Sequence, residues 1–188
     1  TDQGSYTISL PLSQVKYEPV DVMLIIDRSG SMGETDGSGK IKINLAKNAA
    51  KTFVHQLNMS RDRVGLASFS TDATLDCSLT SDAAYINETI DKLQASGYTN
   101  IGGGISKSNK EFIDHGRLDA AWIIILLSDG LANYYYDTQG NLKYDSTYTQ
   151  NKSGQIAGPY AITQSKSSKV LLGKGVRIYT IGLGSSNN

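Results

Sequence analysis

The sequence predicts an α/β protein built on a doubly wound, mostly parallel sheet, and three observations carry that prediction. Two nearly unbroken apolar runs, Val20–Ile26 and Ala120–Ser128, each stop at an acid, Asp27 and Asp129. Such runs are what strands buried on both faces look like. Helix-spaced segments lie between and after them, and helices that connect parallel strands by right-handed crossovers cover both faces of the sheet. Finally, the strand-like segments Arg63–Ser70 and Ala73–Leu79 are joined by Thr71 and Asp72 alone. That connection is long enough only for an antiparallel hairpin, so one edge of the sheet is expected to be antiparallel.

The elements follow in order from the first central strand at Val20–Asp27. After a glycine-rich stretch from Gly30 to Gly39, Ile41, Leu45, Ala49, Phe53 and Leu57 recur every four residues and predict a helix from about Lys40 to Gln56. Beyond the hairpin, Ser81 is expected to cap a second helix with Ile86, Ile90 and Leu93 as its buried stripe, ended by Gly97. A loop, Gly97-Tyr98-Thr99-Asn100, leads to a third helix marked by Ile101, Ile105, Phe112 and Ile113. Its start contains Gly102, Gly103 and Gly104, each costing on the order of 1 kcal/mol against alanine. Glycines persist there where a neighbouring group or a ligand comes close to a helix N-terminus.

Past Asp129 the periodicity fails. Residues 131–158 read as an insertion rich in tyrosine, with residues 137–141 able to turn a small hairpin. Pro159 is expected to open a last helix carrying Ile162, Lys166, Val170 and Leu171, closed by Gly173 and Gly175. Val176–Leu183 is the last strand. With 188 residues the chain suits one sizeable core, divided into an N-terminal extension, residues 1–19, and a domain, residues 20–188.

Composition narrows the function. Lys plus Arg and Asp plus Glu both number 18, so no basic field gathers nucleic acid and no such partner is expected. The longest apolar run falls far short of the roughly 20 residues that cross a bilayer, so no membrane insertion is expected in the visible chain. Residues 1–20 lack the basic start and apolar stretch of a signal peptide. The lone Cys77 rules out an internal disulfide and a thiolate zinc site, and reads as a small buried apolar residue. His55 and His115 fall at helix C-termini, where the dipole favours them, and neither reads as a ligand.

In open α/β sheets, ligands bind beyond the carboxyl ends of the strands, near the point where strand order reverses. Asp27 and Asp129 both stand at such ends. In Asp27-Arg28-Ser29-Gly30-Ser31 an acid and two hydroxyls alternate, and an extended chain turns alternate residues to one side. Either acid alone reads equally well as a strand-end cap. Together with Ser29, Ser31 and Thr99, the two carboxylates would form an all-oxygen shell of low formal charge. That shell suits one divalent cation, Mg²⁺ first, with Mn²⁺ or Ca²⁺ as alternatives.

The same residues form three motifs in order: Asp27-x-Ser29-x-Ser31 after an apolar strand, Thr99 within Gly97-Tyr98-Thr99-Asn100-Ile101-Gly102, and Ser128-Asp129-Gly130 after a second strand. The set resembles the von Willebrand factor type A domain and its metal-ion-dependent adhesion site, in the version found in microbial surface and secreted proteins. The likeness runs from about Val20 to Gly184, the insertion excepted. It implies a Rossmann-like sheet without catalytic residues. Ser29, Ser31 and Thr99 would contact the metal through hydroxyl oxygens, and Asp27 and Asp129 directly or through water. An open coordination position would take an Asp or Glu carboxylate from a protein partner. The implied role is an adhesion module at the cell surface or outside the cell, within a larger protein carrying flanking domains.

The resemblance also implies a further helix, edge strand and final helix beyond Leu183, which the chain to Asn188 does not include. The apolar edge of the last strand should then be covered by a continuation, a second subunit, or Tyr6–Leu10, which alternates as a half-buried strand does. The tyrosine-rich insertion follows Asp129 directly and is expected over the metal face, packed by its own rings. Glu34 and Asp36 lie within reach of the rim but read first as a solvated loop.

Two other functions compete. A Mg²⁺-dependent hydrolase or phosphatase would use acids at strand ends in a similar way. It would need a nucleophile or base and cations for the phosphate, yet the sequence offers Arg28 near the site and no lysine or histidine. Ser29 also stands where aspartate-nucleophile phosphatases place a second acid. An intracellular assembly factor is the third reading, and the Tyr-, Ser- and Thr-rich composition favours the outside of the cell over it.

Overall fold

A computed structural model describes residues 18–130, 132–145, 157–168 and 173–183. Five strands form one sheet: β1 (Val20–Asp27), β2 (Arg63–Phe69), β3 (Ala73–Thr80), β4 (Ala121–Ser128) and, last in the chain, β7 (Val176–Gly182). Their order is β3-β2-β1-β4-β7. Strand β1 pairs in parallel with β2 and β4, β4 in parallel with β7, and β2 antiparallel with β3. The expected mixed sheet with one antiparallel edge is thus the observed one. Between β4 and β7 lie two short strands, β5 (Tyr134–Tyr136) and β6 (Leu142–Tyr144), which pair with each other as the small hairpin expected in the insertion.

Strand β1 explains why both faces must be covered. Val22, Leu24 and Ile26 point into one core, with Ile43, Ala46, Ala50 and Val54 of helix α1 (Lys42–Gln56) and Ile86 and Ile90 of α2 (Ala83–Asp91). Met23 and Ile25 point into the other, with Ile105 and Phe112 of α3 (Ile101–His115) and Trp122 and Ile124 of β4. Phe112 stacks on Trp122 at 5.1 Å between ring centroids. Helix α4 (Ala157–Ser168) packs beside α3, where Asn109 Nδ2 donates to the Gln164 carbonyl at 3.2 Å.

Several local expectations shift. The deepest stripe of α1 is Ile43, Ala46, Ala50 and Val54, whereas Ile41 and Ala49 are exposed. A strict four-residue repeat drifts around a helix of 3.6 residues per turn, and the mixed three-and-four spacing stays on one face. Asp82 rather than Ser81 caps α2, its carboxylate accepting from Ala84 N and Tyr85 N at 3.0 Å, while the Ser81 hydroxyl bonds the Asp62 carbonyl. The helix ends near Lys92, before Gly97, whose φ of 75° instead turns the chain toward Thr99. Ile113 is exposed on α3. Helix α4 starts at Ala157, so Pro159 falls at its third position, still within the turn where a missing N–H costs no bond.

Leu131, Val170, Leu171, the Tyr6–Leu10 stretch and residues 146–156 of the insertion lie outside the described residues. Among the described residues β7 pairs on one side only, and Tyr179 and Ile181 are exposed. No described helix is long and apolar enough to cross a membrane. Cys77 is buried, as its lone occurrence suggested, and burial pushes its thiol up to about 11.

Candidate metal site

Between β1 and β4 the strand order reverses, because the chain first builds toward β2 and β3 and then crosses to the other side. Asp27 is the last residue of β1 and Asp129 the first after β4, so both acids emerge at the carboxyl ends beside that reversal. Register brings them together: Ile26 faces Leu127, and the Ser128 hydroxyl donates to Asp27 Oδ2 at 2.6 Å.

Past Asp27 the chain makes a short 3₁₀ turn, Gly30–Gly33, that folds the serines back over the strand ends. Asp27 Oδ1 accepts from the Ser29 backbone N–H at 2.8 Å, which fixes the turn's entry. The Ser29 and Ser31 hydroxyls lie 3.2 Å apart, and the Ser31 hydroxyl donates to Asp129 Oδ1 at 2.9 Å. Thr99 arrives from the loop before α3, where Gly30 N–H bonds the Gly97 carbonyl at 2.8 Å and ties the two loops together. A Cβ on Gly30 would meet that carbonyl oxygen at 3.3 Å, so the close seam favours glycine. Asp27, Ser29 and Thr99 are buried.

The glycines of α3 now have their reason. A Cβ on Gly104 would stand 2.9 Å from both Ile25 and Phe69, and one on Gly102 would collide with the Tyr160 ring. Protein packing neighbours come close there. Asn100 caps the helix by accepting from Gly103 N–H at 2.9 Å, and its own N–H bonds the Ser70 carbonyl. The residue after Thr99 is thus anchored to both helix and sheet.

Electrostatically the acids are not alike. Burial pushes the Asp27 carboxyl above the usual carboxylate range, hydrogen bonds from Ser128 and Ser29 oppose that, and the Asp129 charge adds to the rise. Asp129 is paired with Lys42, whose Nζ lies 2.8 Å from Asp129 Oδ2 and 3.4 Å from the Ser31 carbonyl oxygen. Sequence reasoning found no lysine near the site. Lys42 is the first residue of α1, separated from Ser31 by the glycine-rich stretch, and the short bridge between Thr35 and Ile41 folds that stretch back on itself. The hydrogen bond to Asp129 is the main reason the Lys42 ammonium holds its proton more tightly than usual, although burial opposes it. Glu34 Oε2 lies 3.8 Å from the same nitrogen, so Glu34 does reach the rim. Asp36 instead accepts from Ser38 and Lys40 within its own turn.

Ser128, which the sequence places in the third motif without a role of its own, and Asn133, which no motif marks, are further supports. Asn133 Oδ1 accepts from Thr99 N–H at 2.7 Å, and the N–H groups of Asn133 and Tyr134 both donate to the Thr99 carbonyl. The insertion is therefore sewn to the Thr99 backbone. Its rings pack as expected, but on a residue of the site loop as well as on themselves: Tyr98 stacks on Tyr134 with centroids 4.8 Å apart, and Tyr144 tilts against both. Tyr136 also hydrogen-bonds Asp72.

The donor set fits a hard cation. The Ser29 and Ser31 hydroxyls and the Asp129 carboxylate form one hydrogen-bonded run, and the Ser29 backbone N–H ties the Asp27 carboxylate to its start, so the side-chain donors are all oxygens. Among the described residues no group of three or more His, Cys, Asp or Glu is placed to hold a metal ion.

A profile of the von Willebrand factor type A domain matches residues 22–131. Among solved structures, the chain is similar to the PilB minor pilin from Streptococcus sanguinis, at 19% identity and a TM-score of 0.74, covering 89% of this chain and 50% of that one. It is also similar to the vWF domain of the type V pili tip protein Mfa5 from Porphyromonas gingivalis, at 27% identity and a TM-score of 0.56 over 66% of this chain and 42% of that one. The pilus adhesin SpaC from Lactobacillus rhamnosus GG matches at 19% identity and a TM-score of 0.65, over 89% and 25%. The chain spans half or less of the length of each of these proteins.

Proposed function

The chain belongs to the von Willebrand factor type A domain family, and on that premise we propose that it is a divalent-metal-dependent adhesion module of a microbial surface or secreted protein. Ser29, Ser31 and Thr99 would hold the cation through their hydroxyls, with Asp27 and Asp129 acting directly or through water. Mg²⁺ is the preferred ion, Mn²⁺ and Ca²⁺ being its alternatives. Once bound, the ion supplies an electrophilic position for an Asp or Glu carboxylate of a protein partner. The observation that supports this reading most is the bond from the Ser31 hydroxyl to Asp129, which joins the two strand-end motifs across 98 residues of chain. The pilin and pilus-adhesin relatives support the surface role.

The hydrolase reading gains a cation in Lys42 but still lacks a base. Each Asp27 oxygen already accepts a bond, from Ser29 N–H and the Ser128 hydroxyl, and each Asp129 oxygen accepts one from Ser31 or Lys42. With both carboxylates already committed to the groups around them, we assign the domain no catalysis.

Water-proton relaxation with Mn²⁺ as the paramagnetic probe tests the proposal. Mn²⁺ should bind, and added acetate should then lower the relaxivity by displacing coordinated water, while acetamide should not. Relaxivity indifferent to acetate would mean that no position is open to a partner's acid.

A further inference from the structure

Lys42 shares its carboxylate with the proposed metal, and the inference that follows rests on the reading above. The ammonium lies 2.8 Å from Asp129 Oδ2 with side-chain exposures of 15% for Lys42 and 2% for Asp129. It is therefore a sheltered pair, not a screened surface contact of negligible worth. We propose that Lys42 is a tethered competitor for the cation site, so that metal loading requires the ammonium to leave Asp129.

Charge makes the two occupants exclusive. Asp27 and Asp129 together bring two negative charges, and Lys42 cancels one of them. A dication drawn to the same carboxylates meets the ammonium as a like charge at short range, in a setting where burial weakens screening. The fold gives Lys42 another place to go. Glu34 Oε2 stands 3.8 Å from Nζ and its side chain is 73% exposed, so the ammonium can turn toward the rim and keep an acidic neighbour in water. A lysine stem with four rotatable bonds makes that move without shifting α1. The pairing thus lowers metal affinity without abolishing it, and sets the metal concentration at which the site loads.

The test uses Mg²⁺ titration of the parent and of Lys42→Met, which keeps the apolar stem and removes the charge, with Lys42→Gln as a second variant in case methionine packs poorly. Both variants should bind Mg²⁺ about tenfold or more tightly than the parent, within the ordinary range of coupling between sites. In the parent, reductive ¹³C-methylation of lysines should reveal one resonance that moves on Mg²⁺ saturation and is missing from Lys42→Met. Variants that bind Mg²⁺ no more tightly than the parent, or a Lys42 resonance unmoved by saturating Mg²⁺, would overturn the competition while leaving the metal reading intact. If neither parent nor variants bind Mg²⁺ or Mn²⁺, both fall together.

Discussion

The Ser128 hydroxyl donates to Asp27 Oδ2 at 2.6 Å, linking the last residues of two neighbouring parallel strands. The other Asp27 oxygen is held by Ser29 N–H, so the buried carboxylate has a fixed orientation before any ligand arrives. Removing such an outer partner typically weakens metal binding about 10–100-fold. Ser128→Ala should therefore bind Mg²⁺ at least tenfold more weakly, in competition with a fluorescent chelator, while folding normally. An affinity equal to the parent's would mean that Asp27 needs no such support.

Asn133 should act on the other side of the site. Its side chain accepts from Thr99 N–H at 2.7 Å, and removing it leaves that buried donor unmatched. Asn133→Ala is expected to cost about 1–3 kcal/mol in chemical denaturation and to weaken Mg²⁺ binding through Thr99. A variant with parental stability and affinity would detach the insertion from the site.

The sequence made most of this architecture legible because its strongest signals were physical necessities. Val20–Ile26 and Ala120–Ser128 had to be buried on both faces, and Thr71-Asp72 could join only an antiparallel pair. Asp27, Ser29, Ser31 and Asp129 come together because each lies at or just past a strand end, which spacing discloses. Lys42 did not, since its distance from Ser31 depends on how Gly33–Gly39 folds back, and glycine-rich stretches leave no periodic trace. Asn133 was hidden for a similar reason, inside an insertion without periodicity. The register of α1 departs from the strict repeat of four because alternating steps of three and four keep to one face.

At the opposite end of the sheet, Asp21 is fully buried and accepts from Arg63 and Arg117. Burial alone would raise its carboxyl, but the bonds from Arg63 and Arg117 more than reverse that and hold it below the usual range. A depressed carboxyl contributes stability that is present above about pH 4 and lost as pH falls through its folded value. Asp21→Asn should cost roughly 3 kcal/mol at pH 7 by urea denaturation, and the difference from the parent should shrink toward pH 3. A difference constant with pH would contradict the ion-pair account.

Gly104 tests the close packing of α3 on the sheet. Ile25 and Phe69, both fully buried, stand where its Cβ would go. Despite alanine's better helix propensity, Gly104→Ala should be destabilised by about 1–3 kcal/mol, the usual cost of overpacking. A more stable variant would show that the helix can lift without loss.

The central claim, one divalent cation held by Asp27, Ser29, Ser31, Thr99 and Asp129, meets its most direct test in calorimetric titration of the chelator-treated protein with Mg²⁺ and Mn²⁺. The account predicts a single site in the parent that Ser31→Ala weakens severely and Asp129→Ala abolishes, with both variants still folded by circular dichroism. Folded variants that bind either ion as tightly as the parent, or a parent that binds neither, would contradict it.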